Sequence, residues 1–205
     1  MNEEKIIIKP LEKVDFEKAV DIYTEGFSKD PLYLYAFPDE QERIRNIKII
    51  YEFMVYDLVP LMKLKIIGAY YGNELAGVLI YTTLESGEWS EESNKAVERM
   101  MKKSANENIT LIGQYSMEAM KHHSTEPHYY MNELSVREIF RRRGIGSSLL
   151  LEAEKEARKN PHVRCILLDT TNPNNVTTYK KIGYEVREAY LFRTFTSYSM
   201  QKKIN

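Results

Sequence analysis

The chain has 205 residues, enough for one domain with a buried core. Its 29 Lys and Arg residues nearly balance its 30 Asp and Glu residues, so the composition does not indicate a nucleic acid or an anionic membrane as a partner. Cys165 is the only cysteine, which excludes an intrachain disulfide and argues against a cysteine-based metal cluster. The acidic start and the absence of a long apolar run predict a cytoplasmic protein without a membrane span.

The first half of the sequence predicts a strand, two long helices and a hairpin. Asp15 is the expected N-cap of the first helix, and Gly26 is expected near its end. A proline-bounded aromatic segment at 30–38 is too apolar for an exposed loop. In chain order, apolar spacing and turn residues predict a strand at 6–8, a helix over 12–27, a helix over 40–58 with Ile44 on its apolar stripe, and strands over 65–71 and 75–84.

The second half alternates strands and helices. The polar segment 86–125 has no strand pattern and is predicted to form a helical lid or side wall over the sheet. Further predicted elements are a strand at 128–136, a helix over 144–159, a strand at 164–170, a helix over 174–182, and strands at 184–187 and 195–202. This order predicts a single α/β domain over residues 1–205, with a mixed sheet of six to seven strands and helices on both faces.

The strand at 128–136 leads through a charged turn into a helix that begins near Gly144. A helix start presents N–H groups without partners and the positive end of the helix dipole. Gly144 and Gly146 lack a Cβ atom, so a ligand can approach the backbone, and the arginines at 141–143 add positive charge. The segment therefore predicts a phosphate site. A P-loop would need a lysine after the second glycine and a dinucleotide fold a third glycine, and neither is present.

Two segments, in order, resemble the signatures of the GCN5-related N-acetyltransferase (GNAT) family. The run Arg141-x-x-Gly144-x-Gly146 is similar to the family's acetyl-CoA motif. Asn172 lies seven residues before Tyr179, and a Gly-aromatic pair follows at 183–184, as in the family's second signature. A weaker similarity, to the puromycin-type small-molecule subgroup, rests on the sequences at 30–31, 37–39 and 128–130.

The resemblance implies a fold in which two neighbouring parallel strands, here 128–136 and 164–170, splay apart and admit the pantetheine arm of acetyl-CoA. It also implies that backbone groups of strand 128–136 bind the pantetheine amides and that N–H groups near residues 142–147 bind the pyrophosphate. The arginine side chains are expected to matter less than this backbone. The expected acetyl-CoA site comprises Leu134, Ser135, Val136, Arg141, Arg142, Arg143, Gly144, Ile145, Gly146, Ser147, Asn172, Asn175 and Tyr179. No metal is expected.

Tyr179 is the candidate general acid, because a phenol stays protonated at neutral pH and can donate a proton to a leaving thiolate. The alternative is that Tyr179 only packs on the apolar face of a short helix. Asn172 and Asn175 could either cap that helix or bind the cofactor. The two roles are compatible for different side chains.

Glu133 is the candidate general base, because a carboxylate inside an apolar strand is costly unless it is paired or functional. The alternative is a salt bridge to a nearby Lys or Arg. Strict alternation places Glu133 on one face with Met131 and Ser135, although a bulge would change that parity. His128 could relay a proton but is expected at the surface, and a metal site at residues 122–123 is not expected.

The implied activity is acetyl transfer from acetyl-CoA to a primary amine of a small molecule, by direct attack in a ternary complex. Segments 31–37 and 86–125 are the expected walls of the acceptor pocket. Two alternatives stay open: acetylation of a protein or peptide, and a CoA-binding sensor without turnover. The C-terminal strand could also pair across a homodimer.

Overall fold

The computed structural model describes residues 5–204. Asp30 and Asp39 are the N-caps of the helices α2 (Pro31–Ala36) and α3 (Glu40–Glu52), and each accepts a hydrogen bond from a backbone N–H of its helix. The elements are β1 (Ile6–Pro10), α1 (Phe16–Phe27), α2 (Pro31–Ala36), α3 (Glu40–Glu52), a π-helical segment (Phe53–Leu58), α4 (Val59–Leu61), β2 (Lys65–Tyr71), β3 (Glu74–Thr82), α5 (Glu91–Ser104), α6 (Thr110–Lys121), β4 (His128–Val136), α7 (Ile145–Lys159), β5 (Cys165–Thr170), α8 (Pro173–Lys181), β6 (Glu185–Phe192) and β7 (Phe195–Lys203).

The strands form one sheet of seven in the order β1-β2-β3-β4-β5-β7-β6. Only β4 and β5 pair in parallel, and every other neighbouring pair is antiparallel. The predicted mixed sheet of six to seven strands is therefore confirmed. None of the helices between residues 5 and 204 is long and apolar enough to cross a bilayer.

Strands β4 and β5 pair along only the first half of β4. Their register runs from His128 opposite Cys165 to Met131 opposite Leu168 and then stops, whereas β3 follows β4 as far as Val136. The edge of β4 that faces β5 is consequently unpaired beyond Met131. Backbone N–H and C=O groups on an unpaired edge can accept an added extended chain.

A β-bulge at Asn132 changes which face the second half of β4 presents. Ile80 is opposite Glu133 and Tyr81 is opposite Met131, so no residue of β3 lies opposite Asn132 in the register. Met131 therefore packs in the core beneath α7, while Glu133 faces α3. Strict alternation was wrong in placing Met131 and Glu133 on one face, because the extra residue reverses the parity.

Helices cover both faces of the sheet and give two apolar cores. One core lies between the sheet and helices α1 and α3, and the other lies beneath α7. In α7, apolar residues spaced four apart face the core, because Ile145, Leu149, Ala153 and Ala157 are all buried. The predicted stripe on α3 was wrong at Ile44, which is 43% exposed.

The segment 86–125 forms two helices, as its composition predicts. Helix α5 packs against α3 and the π-helical segment. Helix α6 reaches β6 and β7: Tyr115 shares a hydrogen bond with Ser197, and His122 stacks on Tyr190. The segment thus lies on the same side of the sheet as α1 and α3.

Asp15 and Gly26 lie where predicted, at the N-cap and near the end of α1, but their contacts differ from what those positions suggest. Asp15 occupies the N-cap position but makes no capping hydrogen bond, because its carboxylate accepts from Lys18 and Tyr70 instead. Gly26 is required by a close approach to β4. A Cβ atom on Gly26 would lie 2.0 Å from the Ser135 hydroxyl oxygen, which itself donates to the Ile22 carbonyl.

We expect Gly26→Ala to lower the free energy of unfolding by about 2 kcal/mol, since the added methyl group forces α1 away from β4. Urea denaturation measures this change. Gly113→Ala in α6 is the matched control, because a Cβ there meets nothing within 4 Å. It should raise the stability by about 0.5–1 kcal/mol. Equal effects of the two substitutions would contradict the packing argument.

Candidate active site

A desolvated carboxylate lies at the centre of the α1/α3 side of the sheet. Glu133 accepts a hydrogen bond of 2.7 Å from the Tyr51 hydroxyl. Within the described residues it forms no ion pair with Lys or Arg, so the predicted salt-bridge alternative is not what the structure contains. Burial raises the pKa of Glu133 to about 7, the Tyr51 hydrogen bond partly opposes that rise, and the negative charge of Asp30 adds to it.

Three tyrosines from α1, α2 and α3 hold this carboxylate in place. Tyr33 donates to the Tyr51 hydroxyl at 3.3 Å, and Tyr51 donates to Glu133. Tyr23 stacks on Tyr51 with ring centroids 4.6 Å apart and donates to the Glu133 carbonyl. Each hydroxyl in this chain of hydrogen bonds strengthens the next one.

Asp30 is a second acidic group on this side of the sheet. It accepts from the Leu32 N–H as the N-cap of α2 and from the Thr171 hydroxyl at the end of β5. Burial raises its pKa. Its negative charge also raises the pKa of Tyr179, as it does that of Glu133. Asp30 is therefore close enough to act on both the candidate acid and the candidate base.

Tyr179 lies in the second half of α8. Burial, with a smaller contribution from Asp30, raises the pKa of Tyr179 to about 12. Its ring also packs against the core beneath α7, with its centroid 6.1 Å from that of Tyr184. The phenol therefore keeps its proton at neutral pH, and the ring also has the packing role considered above.

The start of α7 is open to a ligand. Gly144 is the N-cap residue in the left-handed region, with φ +77°, and it supplies no side-chain cap to the first N–H groups. A Cβ atom on Gly144 would meet nothing within 4 Å. The helix start thus presents backbone donors beside the unpaired edge of β4.

The predicted acetyl-CoA residues near this helix differ in what their side chains do. Arg141 donates to the Val136 carbonyl, and Arg143 lies over the Tyr71 ring, 5.0 Å from its centroid. The side chains of Ser135 and Ile145 are buried, so only their backbones could reach a ligand. Arg142, Gly146 and Ser147 remain at least partly exposed, as does Leu134.

Asn172 and Asn175 both support the start of α8. Asn172 accepts from the Asn174 N–H as the N-cap, and the Asn175 amide donates to the Thr170 hydroxyl. Capping was one of the two roles predicted for these asparagines, and Asn172 has that role at the start of α8. The cap fixes the helix that carries Tyr179 at the end of β5.

The structure brings together several residues that carry no functional signal in the sequence. Tyr51 lies on the apolar stripe of a helix, where a tyrosine is usually read as core. Asp169 lies in a buried strand, and its neighbour His123 belongs to the polar segment 86–125, where the sequence indicates no metal site; the two side chains are 2.8 Å apart. Within residues 5–204 no three His, Cys, Asp or Glu side chains are grouped to hold a metal.

The profile of the "Acetyltransferase (GNAT) family" matches residues 30–184. The chain belongs to this family. The match includes both predicted signatures and the site built around Glu133. A comparison with curated protein sequences found no match.

Solved structures of GNAT acetyltransferases have the same fold. A Corynebacterium glutamicum protein described as histone acetyltransferase HPA2 and related acetyltransferase is 19% identical, with a TM-score of 0.73 over 96% of this chain and 95% of that one. The PaiA N-acetyltransferase of Thermoplasma acidophilum, solved with coenzyme A, is 18% identical, with a TM-score of 0.58 over 97% and 99%. Arylalkylamine N-acetyltransferase 2 of Aedes aegypti is 16% identical, with a TM-score of 0.62 over 98% and 100%.

We expect Tyr51→Phe to move the acidic limb of the pH profile of kcat/KM to higher pH. The substitution removes the hydrogen bond that lowers the pKa of Glu133, and a base works only when it is deprotonated. A hydrogen bond to a charged group corresponds to a displacement of about one pH unit. Tyr56→Phe, at an exposed tyrosine, is the control. An unmoved limb would show that Tyr51 does not tune the reacting carboxyl group.

Proposed function

We propose that this acetyltransferase transfers the acetyl group of acetyl-CoA to a primary amine of a small molecule, by direct attack in a ternary complex. The observation that carries the proposal is the desolvated Glu133 carboxyl group, which pairs with no Lys or Arg among residues 5–204, at the point where β4 and β5 separate. A carboxylate in that position is available to an incoming amine.

Glu133 is the proposed general base. A primary ammonium resembles that of lysine, with an ordinary pKa near ~10.4, so the acceptor must lose a proton before it can attack. With a pKa of about 7, Glu133 is substantially deprotonated at neutral pH yet more basic than an ordinary carboxylate. Tyr51 and Tyr33 hold it in one orientation.

Tyr179 is the proposed general acid for the leaving sulfur. Its raised pKa keeps the phenol protonated at neutral pH, so a proton is in place when the thiolate departs. A thiol has a lower pKa, about 8.5, so the position of the hydroxyl matters more to this transfer than its acidity. The Asn172 cap fixes the start of α8 and so the position of this hydroxyl.

The donor site fits coenzyme A in two respects. The unpaired edge of β4 offers backbone groups to the amides of the pantetheine arm, as an added strand would, and the start of α7 offers N–H groups to the pyrophosphate. Bound acetyl-CoA supplies the thioester carbonyl that the amine attacks. Positive charge at residues 141–143 suits the phosphates, while the carboxylates at 30 and 133 suit a cationic acceptor.

Aromatic side chains favour a small acceptor over a peptide. Helices α2 and α6 lie on the same side of the sheet as Glu133. Tyr35 of α2 packs edge to face against Phe195 of β7, with ring centroids 6.1 Å apart. An enclosing wall limits the length of an acceptor. The C. glutamicum neighbour, described as a histone acetyltransferase, keeps protein acetylation as the second candidate.

The test measures free thiol release from acetyl-CoA with a panel of small amines and with lysine-containing peptides. We expect turnover of small amines, a loss of at least about 100-fold in kcat for Glu133→Gln, and a loss of at least about tenfold for Tyr179→Phe. Acetyl-CoA affinity, measured by calorimetry, should change little in both variants. Glu74→Gln and Tyr56→Phe, at exposed positions, are the matched controls.

Three results would contradict the proposal. Acetyl-CoA binding without thiol release for any amine would favour the sensor alternative. Turnover of peptides alone would favour protein acetylation. If Tyr179→Phe lowered acetyl-CoA affinity and kcat to the same extent, Tyr179 would have a packing role only.

A further inference from the structure

Buried polar atoms without partners gather in one region beside the proposed acceptor site. The described residues contain four such side-chain atoms that make no hydrogen bond, and three of them are His122 Nε2, Asp169 Oδ1 and the Tyr190 hydroxyl. His122 Nε2 lies 3.7 Å from Glu118, beyond hydrogen-bond distance. His122 stacks on Tyr190 with ring centroids 3.7 Å apart, and the charge of Asp169 acts on Tyr190. Buried polar groups are nearly always hydrogen-bonded, so this concentration points to a missing occupant.

Asp169 is the charged member of the region. Only 3% of its side chain is exposed. Its Oδ2 atom accepts from the Tyr130 hydroxyl at 3.0 Å and lies 2.8 Å from His123 Nε2, whereas Oδ1 has no partner. An unsatisfied, buried carboxylate oxygen is costly, and a cationic hydrogen-bond donor would satisfy it.

Among residues 5–204, the basic side chain that contacts an acidic group beside the proposed acceptor site is His123, next to Asp169, rather than a Lys or Arg. Glu133, Asp30 and Asp169 are three acidic groups, and none forms an ion pair with Lys or Arg in the part of the chain that the structure describes. Aromatic rings surround them instead, among them Tyr130 and Tyr115, whose hydroxyls both lie in the field of Asp169. Carboxylates among aromatic faces favour an ammonium group.

Asp169 lies close to Glu133 along the sheet. It follows Leu168, the last residue of β5 that pairs with β4, and its Oδ2 atom accepts from the Tyr130 hydroxyl of β4. Paired strands are about 5 Å apart and β4 and β5 separate beyond Met131, so the two carboxylates are more than about 5 Å apart. An extended chain of three to five methylene groups separates two nitrogens by a comparable ~5–8 Å.

We propose that the acceptor is an aliphatic diamine or polyamine, in which one nitrogen reacts at Glu133 while a second ammonium group is held by Asp169. The inference rests on the proposed function and deepens it, because it names the substrate class. The second ammonium donates to Asp169 Oδ1 and lies against the aromatic rings beside it. The negative charges then bind a dication more tightly than a monocation.

The test compares kcat/KM for 1,4-diaminobutane and butylamine at pH 7.5 with saturating acetyl-CoA. We expect the diamine to be preferred by at least about tenfold, after allowance for its two equivalent amines, because its second ammonium gains a charge-assisted hydrogen bond. Asp169→Asn should reduce that preference to within about threefold of unity. Asp21→Asn, at an exposed aspartate paired with Lys48, should leave the preference unchanged.

The wild-type protein gives a second measurement if Asp169→Asn fails to fold. Diamines of two to eight carbons should show a maximum at intermediate length, because the shortest cannot span both carboxylates. If kcat/KM did not vary with diamine length, or if diamine and monoamine were used equally well, the inference would be overturned and the proposed function would stay intact. The polar atoms around Asp169 would then be assigned to a buried water molecule. Persistence of the preference in Asp169→Asn would also overturn the inference. Failure of every amine would overturn both proposals.

Discussion

The bulge at Asn132 is the constraint on which the site depends. One extra residue in β4 turns Glu133 toward α1 and α3, while Met131 stays in the core beneath α7. The Thr82 hydroxyl donates to the Asn132 side chain at 2.8 Å and so holds the bulge against β3. Without the bulge, Met131 and Glu133 would share a face, and either a carboxylate would enter an apolar core or a thioether would face the tyrosines.

The separation of β4 from β5 divides the site by charge. Beyond Met131 the edge of β4 is free, and positive charge and open N–H groups lie at the start of α7. On the α1/α3 side, acidic groups lie among tyrosines without Lys or Arg partners. An anionic donor and a cationic acceptor would therefore approach from regions of opposite potential. Burial raises the pKa of Glu133, and a raised pKa suits the proposed role of this group as the general base.

Most helices and strands could be predicted from the sequence because each has a clear apolar period bounded by capping or turn residues. The strand at 128–136 has the predicted bounds, and the helix from Ile145 begins one residue later than predicted. The bulge could not be predicted, since it depends on the register with β3. Tyr51, Asp30 and Asp169 were missed for a related reason: each belongs to a different element, and only packing of α3, α2 and β5 on one side of the sheet brings them near Glu133. Close approaches such as Gly26 to Ser135 likewise have no local signal.

The protonation of Glu133 tests this account most directly. The carboxyl carbons of glutamate can be labelled with 13C and followed by NMR from pH 4 to pH 9, with Glu133→Gln used to assign the resonance. The account predicts a titration midpoint near 7, because burial and Asp30 outweigh the Tyr51 hydrogen bond. A midpoint at the ordinary glutamate value near ~4.3 would contradict it, since Glu133 would then be a solvated carboxylate and a weak base.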